Sequence, residues 1–481
     1  MRFFNSFEKN TEHFKNAFKG DDLFILKIIK NENNPDLKIA IALNNCMVNS
    51  DVVNRDIIIP LSRMPLTDDI DCVLKSGVFV FSAKLCDDID TGIVNVASGD
   101  TLIFIGDSDK AITVDTKGMK QRDVSAPDTE QSVQGPAEGF NENIVTNLSL
   151  VKKRVMTSAL KNEFVTLGKQ SNSKLAVCYI EGIARKELVD ELKNRLNSID
   201  TDYIGDTNYI AEFIRDNKTS FIKTYGRTSR PDVFASKLLE GRVGVILNGS
   251  PSALTFPYLF IENFQTPDDY YLNCWYANIG RILRLIGFYL SFLVPASYVA
   301  LTLHHMSMLP PEWLYSISAS RMGVPVPIVL EMFLLFGVFE ILRETGTRMP
   351  SSIGLALNVV GAIILGQAAV DAKLVSAPTV IIVAFSGVMG LMVPNLKGAV
   401  FYIRLAMLML ATVLGLPGVF IGFMLLLVLL SNMSSMGVPI MYLYSFFAKK
   451  GRSDTFFRAP IYRMNYRQKP FSDNVKRQGR V

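Results

Sequence analysis

The chain has 481 residues, 49% hydrophobic and 20% charged, with 50 Lys/Arg against 45 Asp/Glu and a net charge of +5. The positive mean hydropathy of +0.24 averages two unlike halves: charges scatter through residues 1–280, whereas 285–448 is a series of apolar runs. Its five cysteines are odd in number and form no C-x-x-C pair, which argues against a disulfide framework or a zinc site and suits a reducing compartment.

Residues 1–35 are polar, with Phe3, Phe4, Phe7, Phe14 and Phe18 at helical spacing, and are predicted as an N-terminal helical segment. They lack the uninterrupted apolar core of a cleaved signal peptide, so the N-terminal half is expected to stay in the cytoplasm. Residues 36–126 read as a first small α/β subdomain. Within it Leu37–Leu43, Gly92–Val96 and Thr101–Ile105 are predicted strands and Asp51–Leu61 is helical. Ala111–Val114 pairs back through a turn at Gly106-Asp107.

Residues 127–160 are predicted as a linker followed by a helix. Gly135, Pro136 and Gly139 break regular structure. Phe140, Ile144, Leu148, Val151 and Val155 then form an apolar stripe, closed by Lys152, Lys153 and Arg154, whose charges suit a helix C-terminus. This helix either packs on both subdomains or carries a contact between protomers. The residues that would make such contacts are Gly135, Pro136, Gly139, Phe140, Asn147 and Arg154. Residues 161–267 repeat the plan: a strand at Lys174–Ile180, a helix at Arg185–Leu196, a strand at Arg242–Leu247, a turn at Asn248-Gly249 and a return at Ala253–Phe256. Ser108 and Ala111 stand 142 positions before Ser250 and Ala253, which suggests a duplication.

Residues 268–284 read as an interfacial segment, with Tyr270, Tyr271 and Trp275 as headgroup-level anchors. The membrane domain follows over 285–448, with spans predicted at about 285–303, 326–342, 351–370, 374–394, 400–416 and 418–436. Six crossings keep Arg281, Arg284, Arg343, Arg348, Lys397, Arg404 and the basic tail at 449–481 on the cytoplasmic side. Four crossings plus a re-entrant hairpin at Gly415-Leu416-Pro417-Gly418 would leave the tail in the same place. The predicted fold class is an α/β cytoplasmic N-terminal domain of two small subdomains plus an all-α polytopic membrane domain.

The stretch 351–370 holds no formal charge and is long enough to cross a hydrocarbon core of ~30 Å. Gly354, Asn358, Gly361, Leu365, Ala368 and Ala372 fall on one helical face, small and slightly polar. Such a face suits close helix packing or a water-lined path. The neighbouring charges are Glu331, Glu340, Arg343, Glu344, Arg348 and Asp371. Glu340–Arg343 and Glu344–Arg348 can pair along one helix. Glu331 has no basic neighbour and needs either a wet cavity or another helix. No H-E-x-x-H, phosphate loop or G-x-S-x-G elbow is present, and the three histidines include His304-His305, which read as an extramembrane pair. No enzyme, cofactor or metal is expected.

The runs QSVQGPAEGFNENIVTNLSLVKKR, GRVGVILNGSP, PDDYY and EILRETGTRMPSSIGLALNVVGAIILGQAAVDAKLVS resemble the A subunit of bacterial spore germinant receptors, the GerA family. The chain departs from the family pattern at Ala126-Pro127, usually E-P, and at Val133-Gln134-Gly135, often V-R-G. The resemblance implies a place in the inner membrane of the endospore, with the N-terminal domain and C-terminal tail in the core. It also implies a transporter-like B subunit, a lipoprotein C subunit, and a ring of A subunits acting as a nutrient-gated cation channel. In that reading Leu365 is an apolar barrier, and Glu331 or Asp371 favours cations. A secondary transporter and a non-conducting scaffold are the alternatives.

Overall fold

The computed structural model describes residues 2–67, 69–80, 82–118, 130, 134–348, 364–442, 454–467, 470–472 and 476–477, apart from the side chains at 347, 364 and 365. Helix α1 (Phe7–Ala17) precedes strands β1 (Phe24–Ile29) and β2 (Ile39–Asn44). A helical run follows: α2 (Ser50–Val52), a π-turn over Val53–Ile58, α3 (Ile59–Arg63) and α4 (Ile70–Ser76). Then come β3 (Lys84–Cys86), α5 (Ile89–Ser98), β4 (Thr101–Ile105) and β5 (Ala111–Val114). The five strands form an antiparallel sheet in the order β1-β2-β4-β5-β3.

A second unit repeats this arrangement. It has α6 (Ile144–Arg154), β6 (Leu160–Leu167), β7 (Ser173–Ile180), α7 (Lys186–Asn197), α8 (Thr207–Ile214), β8 (Gly226–Thr228), α9 (Pro231–Leu239), β9 (Val243–Leu247) and β10 (Ala253–Phe256). Its strand order, β6-β7-β9-β10-β8, is the first order again with each strand replaced by its counterpart. The match extends to backbone detail: Gly99 (φ +101°) and Gly241 (φ +98°) sit at equivalent turns before β4 and β9. The recurrence of one strand order in both halves supports an internal duplication.

Each sheet is covered on both faces. In the first unit Ile39, Ile41, Ile103 and Ile105 face the helices between 50 and 76, while Ala40, Ala42, Leu102 and Phe104 face α1 and α5. Double coverage explains why β2 and β4 are unbroken apolar runs rather than alternating ones. Phe7, Phe14 and Phe18 form the buried side of α1, with Phe14 edge-on to Phe104 at 5.0 Å.

Two predicted elements differ. Gly92–Val96 lies inside helix α5, not in a strand. Asp88 caps that helix by accepting from Thr91 N at 3.0 Å, and Gly99 ends it in the left-handed region. Its β-branched residues pack Ile89 and Val96 on the sheet at helical spacing. Within 1–35 only Phe7–Ala17 is helical, and Phe24–Ile29 is a strand paired with β2.

Helix α6 joins the two units. Ile144, Leu148 and Val151 pack with Phe234 and Ile246 of the second sheet's layer, and with Leu23, Cys46 and Met47 of the first unit. Lys152, from the last turn of α6, reaches Asp21 at 2.6 Å with both side chains at most 5% exposed. This is the arrangement in which the linker helix packs on both subdomains.

The helical half contains α10 (Asp268–Tyr271), α11 (Cys274–His304), α12 (Pro311–Arg321), α13 (Ile328–Arg348), α14 (Ala369–Asp371), α15 (Ala377–Leu391), α16 (Lys397–Leu414) and α17 (Leu416–Ser431). A two-residue pair, β11 (Ser434–Ser435) with β12 (Val438–Pro439), follows. Two helices among the described residues are long and apolar enough to cross a membrane, Cys274–His304 and Pro394–Leu414, while Ala377–Leu391 and Leu416–Ser431 are shorter apolar helices.

Lys152 generates a test of the inter-unit joint. Lys152→Ala leaves the Asp21 carboxylate buried without its cation, which costs about 3–5 kcal/mol. The thermal unfolding midpoint of the full chain is expected to fall well below that of the parent, and an unchanged midpoint would show that the pair does not hold the units together.

Candidate functional site

Contacts at the helix ends fix the directions of the bundle. Phe221 of the second α/β unit meets Tyr402 near the start of α16 at 5.9 Å. After α17 the chain returns to that unit, where Tyr258 N donates to Ser435 Oγ at 3.0 Å and Phe260 N to Ile440 O at 3.1 Å. At the far end, a nitrogen of His304 lies 2.8 Å from Thr412 O, and His305 sits against Gly415. Helices α11 and α16 therefore run away from the α/β half. Helix α17 runs back after the predicted break at Gly415–Gly418.

Glu331 lies at the far end, in the first turn of α13, and is fully buried. Its Oε1 accepts from the hydroxyl of Ser376 at 2.7 Å and from the Ser376 backbone N–H. Ser376 Oγ also meets Thr379 Oγ1 at 2.8 Å. The second carboxyl oxygen, Oε2, has no hydrogen-bond partner. Met332 and Phe336, further along α13, pack with Tyr298, Val383 and Leu408 in an otherwise apolar cluster. A carboxylate in such surroundings is costly to keep unless it has a partner or a task.

A second polar group inside the bundle follows from one proline. Pro295 lies within α11 and has no N–H, so the Ser291 carbonyl four residues earlier loses its helical donor. That carbonyl accepts from Arg404 Nε at 3.0 Å and from Ser386 Oγ at 2.5 Å. Arg404 also donates to Ser386 O at 3.3 Å, lies 4.5 Å from the Phe336 ring centroid and approaches Glu340 at 3.9 Å. It is only 4% exposed. Sequence reasoning placed Arg404 toward the cytoplasmic side, inside the span at about 400–416, and gave it no partner. The structure puts it within the bundle, because the proline-freed carbonyl supplies its acceptor.

The junction between the halves carries two further networks. Glu262 is buried and accepts from Lys237 at 2.6 Å, Arg242 at 2.7 Å and the Leu259 N–H at 2.9 Å. Burial alone would raise this carboxyl, but the charges of Arg242 and Lys237 more than reverse that and hold it below the usual carboxylate range. In the second network Arg281 donates to Asp269 at 3.0 Å and to Asp454 at 2.8 Å, and Arg284 meets both Asp269 oxygens at 2.6 Å. Tyr270 donates to Asp454 at 2.7 Å and lies within 5.7 Å of both the Arg281 and Arg458 guanidiniums.

These contacts change the reading of the basic tail. Its described residues do not form a free solvated arm. Phe471 is fully buried under Arg242 at 4.4 Å, Arg467 donates to Leu239 O at 2.7 Å, and Arg477 pairs with Glu240 at 2.6 Å. Arg467 and Arg477 each find a carbonyl or carboxylate on the α/β half, which a charge count cannot reveal.

The other sequence-predicted residues divide three ways. Gly354, Asn358 and Gly361, with the Leu365 side chain, lie outside the described residues; Ala368, Asp371 and Ala372 are exposed. Glu340 pairs with Arg343, and Glu344 with Arg348 at 2.7 Å. Gly135 (φ +118°) abuts the Tyr271 ring, where a Cβ would fall 2.7 Å from it. Pro136 O accepts from Arg230 at 2.9 Å, and Phe140 stacks edge-on with Phe234 at 5.7 Å. Gly139 lies in the extended segment between them. Asn147 closes a ring with the Asn141 backbone at 2.8 and 2.6 Å, and Arg154 meets Glu138 at 2.5 Å. Of the expected headgroup anchors, Trp275 is 80% exposed, whereas Tyr270 turns inward and Tyr271 donates to Asp232. Sequence reasoning missed Asp269, Asp454, Arg458 and Glu262, whose partners are up to 189 residues away.

Two measurements follow. Glu262 and Asp232 are both held below their ordinary values. Their stabilisation is therefore complete above the unfolded carboxyl pKa of about 4 and lost as pH falls through the lower folded values. The thermal midpoint is expected to be flat from neutral pH to about pH 5 and to drop below it; Glu262→Gln should be less stable at neutral pH and lose less on acidification. Gly241→Ala places a methyl 2.7 Å from Phe471 O at a left-handed position. It is expected to cost about 1–3 kcal/mol and to open the buried Arg467 to trypsin; equal protection would show that the tail is held elsewhere.

A family model described as Bacillus/Clostridium GerA spore germination protein matches residues 12–470. Spore germination protein KA of Bacillus subtilis (strain 168) is 34% identical over 481 residues, covering 99% of this chain and 88% of the relative. Spore germination protein GerQA of Bacillus cereus is 30% identical over 467 residues, covering 95% and 91%. The solved N-terminal domain of the A subunit of the Bacillus megaterium spore germinant receptor GerK3 is similar over 54% of this chain and 98% of its own, at 23% identity and a TM-score of 0.43. With a match that runs through both α/β units, the helical bundle and the docked tail, the chain belongs to the GerA family of spore germination proteins.

Proposed function

We propose that this chain is the A subunit of a nutrient-sensing germinant receptor in the spore inner membrane, and that copies of it form a ring that opens as a nutrient-gated cation channel. A transporter-like B subunit and a lipoprotein C subunit complete the receptor. The family membership supports the receptor role. The α/β half and the docked tail share the core side of the membrane.

The helix directions favour six crossings. Helices α11 and α16 run outward; α13, α15 and α17 run inward. Arg348 lies 17 residues beyond Glu331 on α13, so roughly 25 Å from the far end. The chain between Arg348 and Ser376 has that distance to make up in the outward direction. The 351–370 stretch, of which 351–363 lie outside the described residues, is our candidate for the remaining crossing and for the pore lining through Gly354, Asn358, Gly361, Leu365, Ala368 and Ala372. Exposure of Ala368 and Ala372 fits a face left for water or for neighbouring copies.

The observation that carries the channel reading is Glu331, a fully buried carboxyl in an apolar helical bundle with one oxygen unpartnered. Ionisable groups at such depth mark ion paths. Glu331→Gln is expected to lower monovalent cation release roughly tenfold in an assembled receptor, with assembly unchanged. Gly361→Phe is expected to block release outright. Normal ion release from an intact Gly361→Phe receptor would rule out that stretch as the pore and favour a scaffold.

A further inference from the structure

A cleft of about 290 Å³ opens beside the first turns of α11. Its walls include Phe264, Ile282, Leu285, Phe456 and Phe457, and the charged side chain lining it is Arg281. Arg281 is 3% exposed. Its Nε and Nη1 are engaged by Asp269 and Asp454, but Nη2 has no hydrogen-bond partner. In the same cluster Arg458 Nε is also without a partner. Arg281 and Arg284 share the carboxylates of Asp269 and Asp454, while Arg458 Nη1 donates to the backbone carbonyls of Asp269 and Leu272.

We infer that this cleft binds an anionic phospholipid, whose phosphate meets Arg281 and whose acyl chain lies on the aromatic and aliphatic walls. The inference rests on the membrane reading of α11. Leu285, at the cleft, is the first residue of the uncharged run to Leu303, so the cleft opens where headgroups give way to hydrocarbon. A buried guanidinium donor without an acceptor is expensive, and an anion relieves that cost. Apolar walls beside it select an amphiphile over a bare anion, since free phosphate would leave them wet. A lipid at this position would touch both α11 and the returning tail, and so would brace the joint between the bundle and the α/β half.

The test uses the full chain reconstituted in nanodiscs of equal phosphatidylglycerol and phosphatidylcholine, with retained lipid counted by native mass spectrometry. The parent is expected to keep phosphatidylglycerol over phosphatidylcholine by about fivefold, the effect of one arginine on an anionic headgroup. Phe457 is 53% exposed. Phe457→Asp should therefore fold, put an anion in the cleft and bring the ratio to parity. Arg281→Lys should do the same where it folds. Parity in the parent, an unchanged preference in Phe457→Asp, or displacement of the lipid by millimolar inorganic phosphate would each overturn the site. Retention of the chain in vesicles through an alkaline carbonate wash checks the membrane reading separately: release would overturn both, and retention without lipid preference would overturn the lipid site alone.

Discussion

One guanidinium ties the start of the helical bundle to the segment just before it and to the tail beyond it. Arg281 is buried where α11 leaves the α/β half, and it needs acceptors there. Asp269 supplies one from the segment just before the helix, and Asp454 supplies the other from beyond the whole bundle. A buried cation with a missing partner is far costlier than an exposed one. The requirement to surround Arg281 therefore constrains the path of the tail, the angle at which α11 enters the bundle and the position of Tyr270 between two arginines. Glu262 repeats the logic with reversed charge, holding Lys237 and Arg242 and, through Arg242, the ring of Phe471. Together the two networks hold the described part of the tail and the start of α11 against the α/β half.

Inside the bundle the same accounting applies with fewer resources. Backbone groups in an apolar layer must be satisfied by protein. Pro295 breaks one α11 hydrogen bond, and Arg404 and Ser386 repair it from α16 and α15. The proline is therefore a docking point, because the carbonyl it frees selects which helices lie beside α11. Glu331 is the case where the account does not close. One oxygen is well bonded to Ser376 and the other is not, and this imbalance makes the residue a candidate for function more than for stability.

The two α/β units show how much of a fold survives divergence. Strand order, the helices on each face and a left-handed glycine before the fourth strand recur, although few side chains do. Helix α1 in the first unit and α6 in the second occupy equivalent faces. The second has gained an additional role, because its last turn carries the lysine that reaches Asp21 across the joint.

The sequence by itself determined the division into an α/β half and an apolar helical half, the duplication, the family, and those elements whose apolar period matches their coverage. Thr101–Ile105 and Ala111–Val114 are strands as predicted, and Ile144, Leu148 and Val151 of the Phe140–Val155 stripe lie on α6. Local pattern failed where two structures share a composition. Gly92–Val96 is β-branched yet helical, since Asp88 and Gly99 cap it and one face is buried. Only the tertiary structure decided the placement of Arg404, the docking of the tail and the roles of Asp269, Asp454 and Glu262. The physical reason is range. Periodicity records which face of an element is buried, whereas the partner of a buried charge is chosen by folding, from as near as Asp269 for Arg281 to as far as Asp454.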